Sequence, residues 1–199
     1  MNSFSFHRIG PGQDGQDQQL PQRAEPGQWP KTEAALAVVN RDLVATLPGQ
    51  EALVLLVVPS HETVPGGAVG EEQVYVALPD GRWHGNAVNG TDLEEGAPPE
   101  PDDDTAVLAA VADAAQETVM ELLWQVWPVC PDHGTGMHPR PPGTSADWYP
   151  GRSDAAGAPV WWCRGGRDGP CHDVCPVGEL TATLPGKQRR ALRRGERRR

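Results

Sequence analysis

The first 129 residues contain no cysteine, and the whole chain of 199 residues has only two phenylalanines and two tyrosines. No apolar run approaches the roughly 18 residues that a membrane-spanning helix needs. The opening residues, Met1 to Arg8, include no apolar stretch of the secretory kind, so a cytoplasmic chain is expected. A Gly-rich phosphate loop, a strand-turn-helix nucleophile motif and a His-Glu-x-x-His pair are all missing. Their absence sets aside the most recognisable nucleotide-binding, acyl-transfer and zinc-protease chemistries.

Glycine and proline are plentiful instead. Gly 23 and Pro 21 together exceed a fifth of the chain, against an average of roughly 12%. Apolar residues reach 38%, which supports one modest core and a small appendix. The net charge of −10 hides a split. From Gly186 to Arg199 the chain carries Lys187 and seven arginines against Glu196, a local +7 that leaves −17 for residues 1 to 185. An acidic body repels nucleic acid and anionic membranes, and a basic tail attracts them.

Residues 1–29 read as a disordered segment, because Gly, Gln, Pro and Asp cannot bury enough surface to offset ordering. Phe4 and Phe6, alternating with serines, suit a short edge strand or an unattached terminus. A helix is expected after Pro30, with Thr32 as its cap and Leu36, Val39, Leu43 and Leu47 on one face. Pro48-Gly49 ends it. The run from Ala52 to Val58 reads as a central strand. A loop over 60–71 leads to a second strand over Gln73–Leu78. A tight turn at Pro79-Asp80-Gly81 and a return over Arg82–Val88 would complete a hairpin. An acidic linker covers 89–104, and a long helix runs from about Thr105, capped by Asp104, to Trp127. Its apolar positions Leu108, Val111, Ala115, Val119, Leu122 and Val126 step by three and four. The expected fold class is α+β over residues 30–127, a small antiparallel sheet with two amphipathic helices. A loop-rich module over 128–185 and a basic disordered tail over 186–199 follow.

All four cysteines fall between residues 127 and 180, together with His133, His138 and His172. In a reducing compartment such thiols are metal ligands or free, rather than disulfides. Cys130-Pro-Asp-His133-Gly134 spaces two ligands so that the turn wraps one side of an ion, and Gly134 suits the tight turn. The sequence resembles a zinc-ribbon module here, whose knuckles read Cys-Pro-x-Cys-Gly, with His133 standing for the second cysteine. The resemblance covers residues 127–180 and includes the aromatics Trp161 and Trp162 before Cys163. It departs where Arg164 to Pro170 separates Cys163 from Cys171, His172 and Cys175. The chain also looks like small actinobacterial proteins with a Cys-Pro-x-His module near the C-terminus, a likeness that implies no activity.

Zinc wants four ligands in a tetrahedron. The first choice is Cys130, His133, Cys163 and His172. Cys171 is nearly equal to His172, Cys175 comes third, and His138 can replace His133. Adjacent Cys171 and His172 seldom bind one ion together. A segment of this size with few aliphatics needs such a staple. Trp127, Trp148, Trp161 and Trp162 can pack around it. An iron–sulfur cluster fits the cysteine spacing poorly. A redox dithiol fails because three residues, not two, separate Cys171 from Cys175. A zinc deaminase lacks its His-x-Glu element.

The leading expectation is therefore a non-enzymatic, zinc-binding accessory or protein-interaction protein. The alternative is a nucleic-acid-associated zinc-ribbon protein anchored by its Arg-rich tail, with weak, sequence-independent binding. A metal-dependent hydrolase is the weaker third reading. No membrane partner is expected.

Overall fold

The computed structural model describes residues 20–59, 72–89, 100–149, 156–166 and 169–196. The Phe4/Phe6 strand, the 60–71 loop, most of the acidic linker and Arg197 to Arg199 lie outside the described residues.

The architecture is mixed α/β. Two three-stranded antiparallel sheets and three α-helices make up the described residues. The first sheet holds β1 (Gln22–Arg23), β2 (Val54–Pro59) and β3 (Glu72–Ala77), with β2 in the centre. Leu55, Leu56 and Val57 are all buried, as the apolar run of a central strand implies. Helices α1 (Pro30–Thr46) and α2 (Asp104–Leu123) pack against each other, and α2 also packs on β3. The second sheet orders β4 (Met137–Arg140), β5 (Val160–Cys163) and β6 (His172–Pro176), again with the middle strand in the centre. A 3-10 turn over Leu180–Thr183 and α3 (Gly186–Glu196) finish the chain.

Several expectations change in detail. Residues 20–29 carry structure. Gln22 and Arg23 pair with Val57 and Leu56, and Trp29 is buried. The Glu33 carboxylate accepts from the amides of Gly27 and Trp29, which holds the chain's entry into α1. Trp29, not Thr32, is the N-cap of α1. Pro30 sits in the first turn, where a missing N–H costs nothing. The orphan amides of Lys31 and Thr32 donate to the buried Glu100 carboxylate, at 3.2 and 2.8 Å. Part of the supposed linker is thus an anion seated on a helix N-terminus.

The expected hairpin is not a hairpin. The turn at Pro79 to Gly81 forms, closed by Leu78 N–H on Arg82 O at 2.8 Å, but only Ala77 and Trp83 then bridge. Further along β3, Val88 N–H donates to Val74 O. The Asn89 carboxamide takes the Val74 amide and donates to Glu72 O. One side chain imitates a peptide unit there, in place of a strand paired along β3. Helix α2 starts from Asp103, whose carboxylate accepts from Thr105 N–H. It ends at Leu123, because Trp124 adopts φ 52, left-handed, before Pro128 is reached.

The core does not stop at residue 127. One apolar cluster runs from Leu36, Val39 and Leu43 of α1 through Val111 and Val119 of α2 to Trp161 and Cys163 of β5. Buried polar groups stitch the same seam. Gln116 of α2 donates from Nε2 to the carbonyls of Trp127 and Met137. The Trp127 indole donates to Thr46 Oγ1 at 2.9 Å. The second sheet was hidden by its Pro- and Gly-rich neighbours. Yet Val160-Trp161-Trp162-Cys163 is a fully buried β-branched and aromatic run of the kind that favours a strand.

The tail expected to lack structure is helical over Gly186–Glu196. Gln188 and Arg189 amides both donate to Pro185 O, and Lys, Gln, Arg, Ala and Leu are good helix formers.

Candidate metal centre

Cys130 begins a tight turn. Its carbonyl accepts from Gly134 N–H at 2.9 Å, and its own amide donates to Thr135 O at 2.8 Å. Gly134 takes φ +67 within that turn. The geometry turns the chain back and aims both Cys130 Sγ and His133 Nδ1 inward, 3.6 Å apart. The amides of Asp132 and His133 point at the Cys130 sulfur.

The second sheet supplies the other half. Cys163, last in β5, pairs in register with His172, first in β6. Cys163 Sγ lies 3.6 Å from His133 Nδ1, and His172 Nε2 lies 3.9 Å from Cys130 Sγ. One ligand atom from each of Cys130, His133, Cys163 and His172 falls within 4.8 Å of the others, so the group could hold a metal ion. The two sulfurs are buried and the two imidazoles half-buried. Burial, with the neighbouring Cys163 thiol, pushes the Cys130 thiol above its ordinary range, and the two turn amides pull it back.

The surroundings are ordered as supports. Gly165 N–H and Thr135 Oγ1 approach Cys163 Sγ at 3.3 and 3.4 Å. His172 Nδ1 faces Pro170 O at 3.5 Å, which leaves Nε2 free to ligate. The exposed Asp132 carboxylate stands 3.8 Å from that Nε2. A Cβ on Gly169 would sit 2.9 Å from His133 Nε2, and one on Gly165 would clash with Gly169 O. The glycines between Cys163 and Cys171 break the ribbon pattern, yet two of them, Gly166 and Gly169, lie against the His133 ring.

No protein-family model, no curated protein and no solved structure matches this chain.

The first-choice quartet of the sequence is thus brought together, and the remaining candidates are not. His138 faces away, with Nδ1 3.1 Å from Gln116 Oε1. Burial of its ring lowers its proton affinity, aided by Arg140 and opposed by Asp113. Cys171 and Cys175 are free thiols outside the group. Cys175, in β6, packs against the core. Burial pushes its thiol up to about 12, and Asp42 and Glu179 add to the effect. Of the tryptophans, Trp127 and Trp161 stack edge to face at 5.4 Å, as mini-core filler would. Arg140 lies over Trp162 at 3.8 Å and over Trp148 at 5.4 Å.

One residue gave no signal in the sequence. Asp42, on the apolar face of α1, is fully buried. Its carboxylate accepts from Trp161 Nε1 and Gly178 N–H, both at 2.6 Å, and from Leu180 N–H at 2.7 Å. Burial raises the Asp42 carboxyl against the pull of those three donors. The contact ties the strand that carries Cys163 to the first helix.

Proposed function

We propose that Cys130, His133, Cys163 and His172 bind one structural zinc ion. On this reading the chain is a non-enzymatic accessory or protein-interaction protein, and residues 128–185 are a zinc-ribbon-like module bracing the α+β body. The observation that carries the reading is the spacing of the four ligand atoms. A tetrahedral zinc with bonds of about 2.3 Å to sulfur and about 2.0–2.1 Å to nitrogen separates those ligands by about 3.6 Å. Three of the four sulfur–nitrogen separations are 3.6, 3.6 and 3.9 Å, and all four ligand atoms lie within 4.8 Å of one another. Two thiolates and two imidazoles in a tetrahedron suit zinc above magnesium, calcium or manganese.

Four protein ligands leave zinc no open position for water or substrate, which favours a structural role over hydrolysis. The interaction half of the reading is supported by exposed apolar side chains. Trp124 is 91% exposed, and Val126 and Val129 just beyond it are exposed too.

Elemental analysis of the purified chain tests the metal. About one zinc per chain is expected, lost in Cys130→Ser and in Cys163→Ser and kept in Cys171→Ser. Iron in place of zinc, or metal that survives both of the first substitutions, rejects the proposal.

A further inference from the structure

Helix α3 spans Gly186–Glu196, 11 residues, and so is about 16 Å long. Among the described residues, no other element packs extensively against it. Lys187, Arg189, Arg190 and Arg194 are exposed. Among the described residues, none of these four cations pairs with an acid. Lys187, Arg190 and Arg194 fall at i, i+3 and i+7, one face of a helix. Like charges at i, i+4, as in Arg190 and Arg194, destabilise a helix. An isolated helix of this length is already marginal in water. An anion with closely repeated charges would relieve that repulsion.

We propose that α3 binds the phosphodiester backbone of nucleic acid, without reading sequence. The guanidinium fork matches phosphate oxygens in a bidentate manner. An interfacial membrane helix needs a broad apolar face, and α3 offers only Ala191 and the half-buried Leu192. No aromatic side chain lies on α3 to stack on bases, so contact is with phosphate alone. The acidic body opposes the approach of a polyanion. However, screening acts over about 8 Å at physiological salt, half the length of α3. The fold keeps this helix at the edge of the body: Leu180, just before it, is fixed by Asp42, and Pro185 begins the turn into it. The inference stands whether or not the four-ligand group holds a metal.

The test is fluorescence anisotropy of a labelled random-sequence DNA duplex with the full chain. Four phosphate contacts give a slope of about −3.6 in log affinity against log salt, or a loss of about a hundred-fold between about 50 and 200 mM. That slope or a steeper one is expected. Circular dichroism should gain helical signal as the duplex is added. The variant Lys187→Gln/Arg189→Gln/Arg190→Gln/Arg194→Gln should lose at least ten-fold in affinity at low salt with its zinc content and unfolding midpoint unchanged. No binding at about 50 mM salt overturns the proposal, as does equal binding by the variant. Capture by phosphatidylglycerol vesicles with no capture by duplex assigns α3 to a membrane surface and also overturns it. The salt slope of the unaltered chain tests the claim without any substitution.

Discussion

The indole nitrogen of Trp161 donates a 2.6 Å hydrogen bond to Asp42 Oδ2, joining residues 119 positions apart. Trp161 is two residues before Cys163 on the same buried strand. Asp42 sits in α1 among Val39 and Leu43. The body and the candidate metal module therefore share one core, and a carboxylate at its centre orients the strand that presents a ligand.

Asp42→Asn should destabilise the protein by about 1–3 kcal/mol. The amide offers one acceptor oxygen to three donors and turns an NH2 toward another N–H. Asp42→Ala leaves all three donors unpaired and should cost more. Urea unfolding with metal present measures both. A midpoint for Asp42→Ala equal to that of the unaltered chain would show that the contact carries no weight.

Gly169→Ala should weaken metal binding by about 10–100-fold. The new methyl would stand 2.9 Å from His133 Nε2, so the ring or the loop must shift. Competition against a chelator of known affinity reads the change directly. Unaltered affinity would mean that the loop yields without moving His133.

Thiol labelling should distinguish the two spare cysteines. The thiolate is the nucleophile, and the Cys175 thiol is pushed up to about 12 by burial, Asp42 and Glu179. In the metal-loaded protein Cys171 should alkylate first and Cys175 at least ten-fold more slowly near pH 8. Mass spectrometry of the labelled peptides identifies the order, and fast labelling at Cys175 would contradict its placement.

Acid should destabilise the fold partly through His138. Its folded-state proton affinity is lowered, chiefly by desolvation where the ring meets Gln116, and the effect is modest because the residue keeps much of its exposure. In the unfolded chain the same histidine, titrating at about 6.5, then takes up the proton first as pH falls. The contribution of neutral His138 is complete above that value and is lost as pH drops through the lower, folded pKa. His138→Gln should lose less stability than the unaltered chain between pH 7 and pH 5. Equal losses would exclude His138 from the pH response.

Much of this was legible in the residues, for reasons specific to each element. Leu36, Val39 and Leu43 on one face of α1 and the apolar run of β2 are local patterns, and both elements form where those patterns lie. Cys130 and His133 were legible as one turn, and Cys163 by its place after two tryptophans, but the choice of His172 over Cys171 was not, because it depends on Cys163 pairing with His172 across β5 and β6. Asp42 was not legible. An acid beside an apolar stripe reads as exposed until its three donors, all more than a hundred residues away, are placed around it. Glu100 was hidden in the same manner, because its role depends on a helix N-terminus far up the chain. The second sheet was obscured by composition, because Pro and Gly dominate the connections while the strands themselves are only four or five residues long.

X-ray absorption at the zinc edge of the metal-loaded full chain tests the central claim most directly. Two sulfur scatterers at about 2.3 Å and two imidazole nitrogens at about 2.0–2.1 Å are expected. A first shell with three or four sulfurs would bring in Cys171 or Cys175 and contradict the quartet. A shell with oxygen in place of one ligand would contradict a closed structural site.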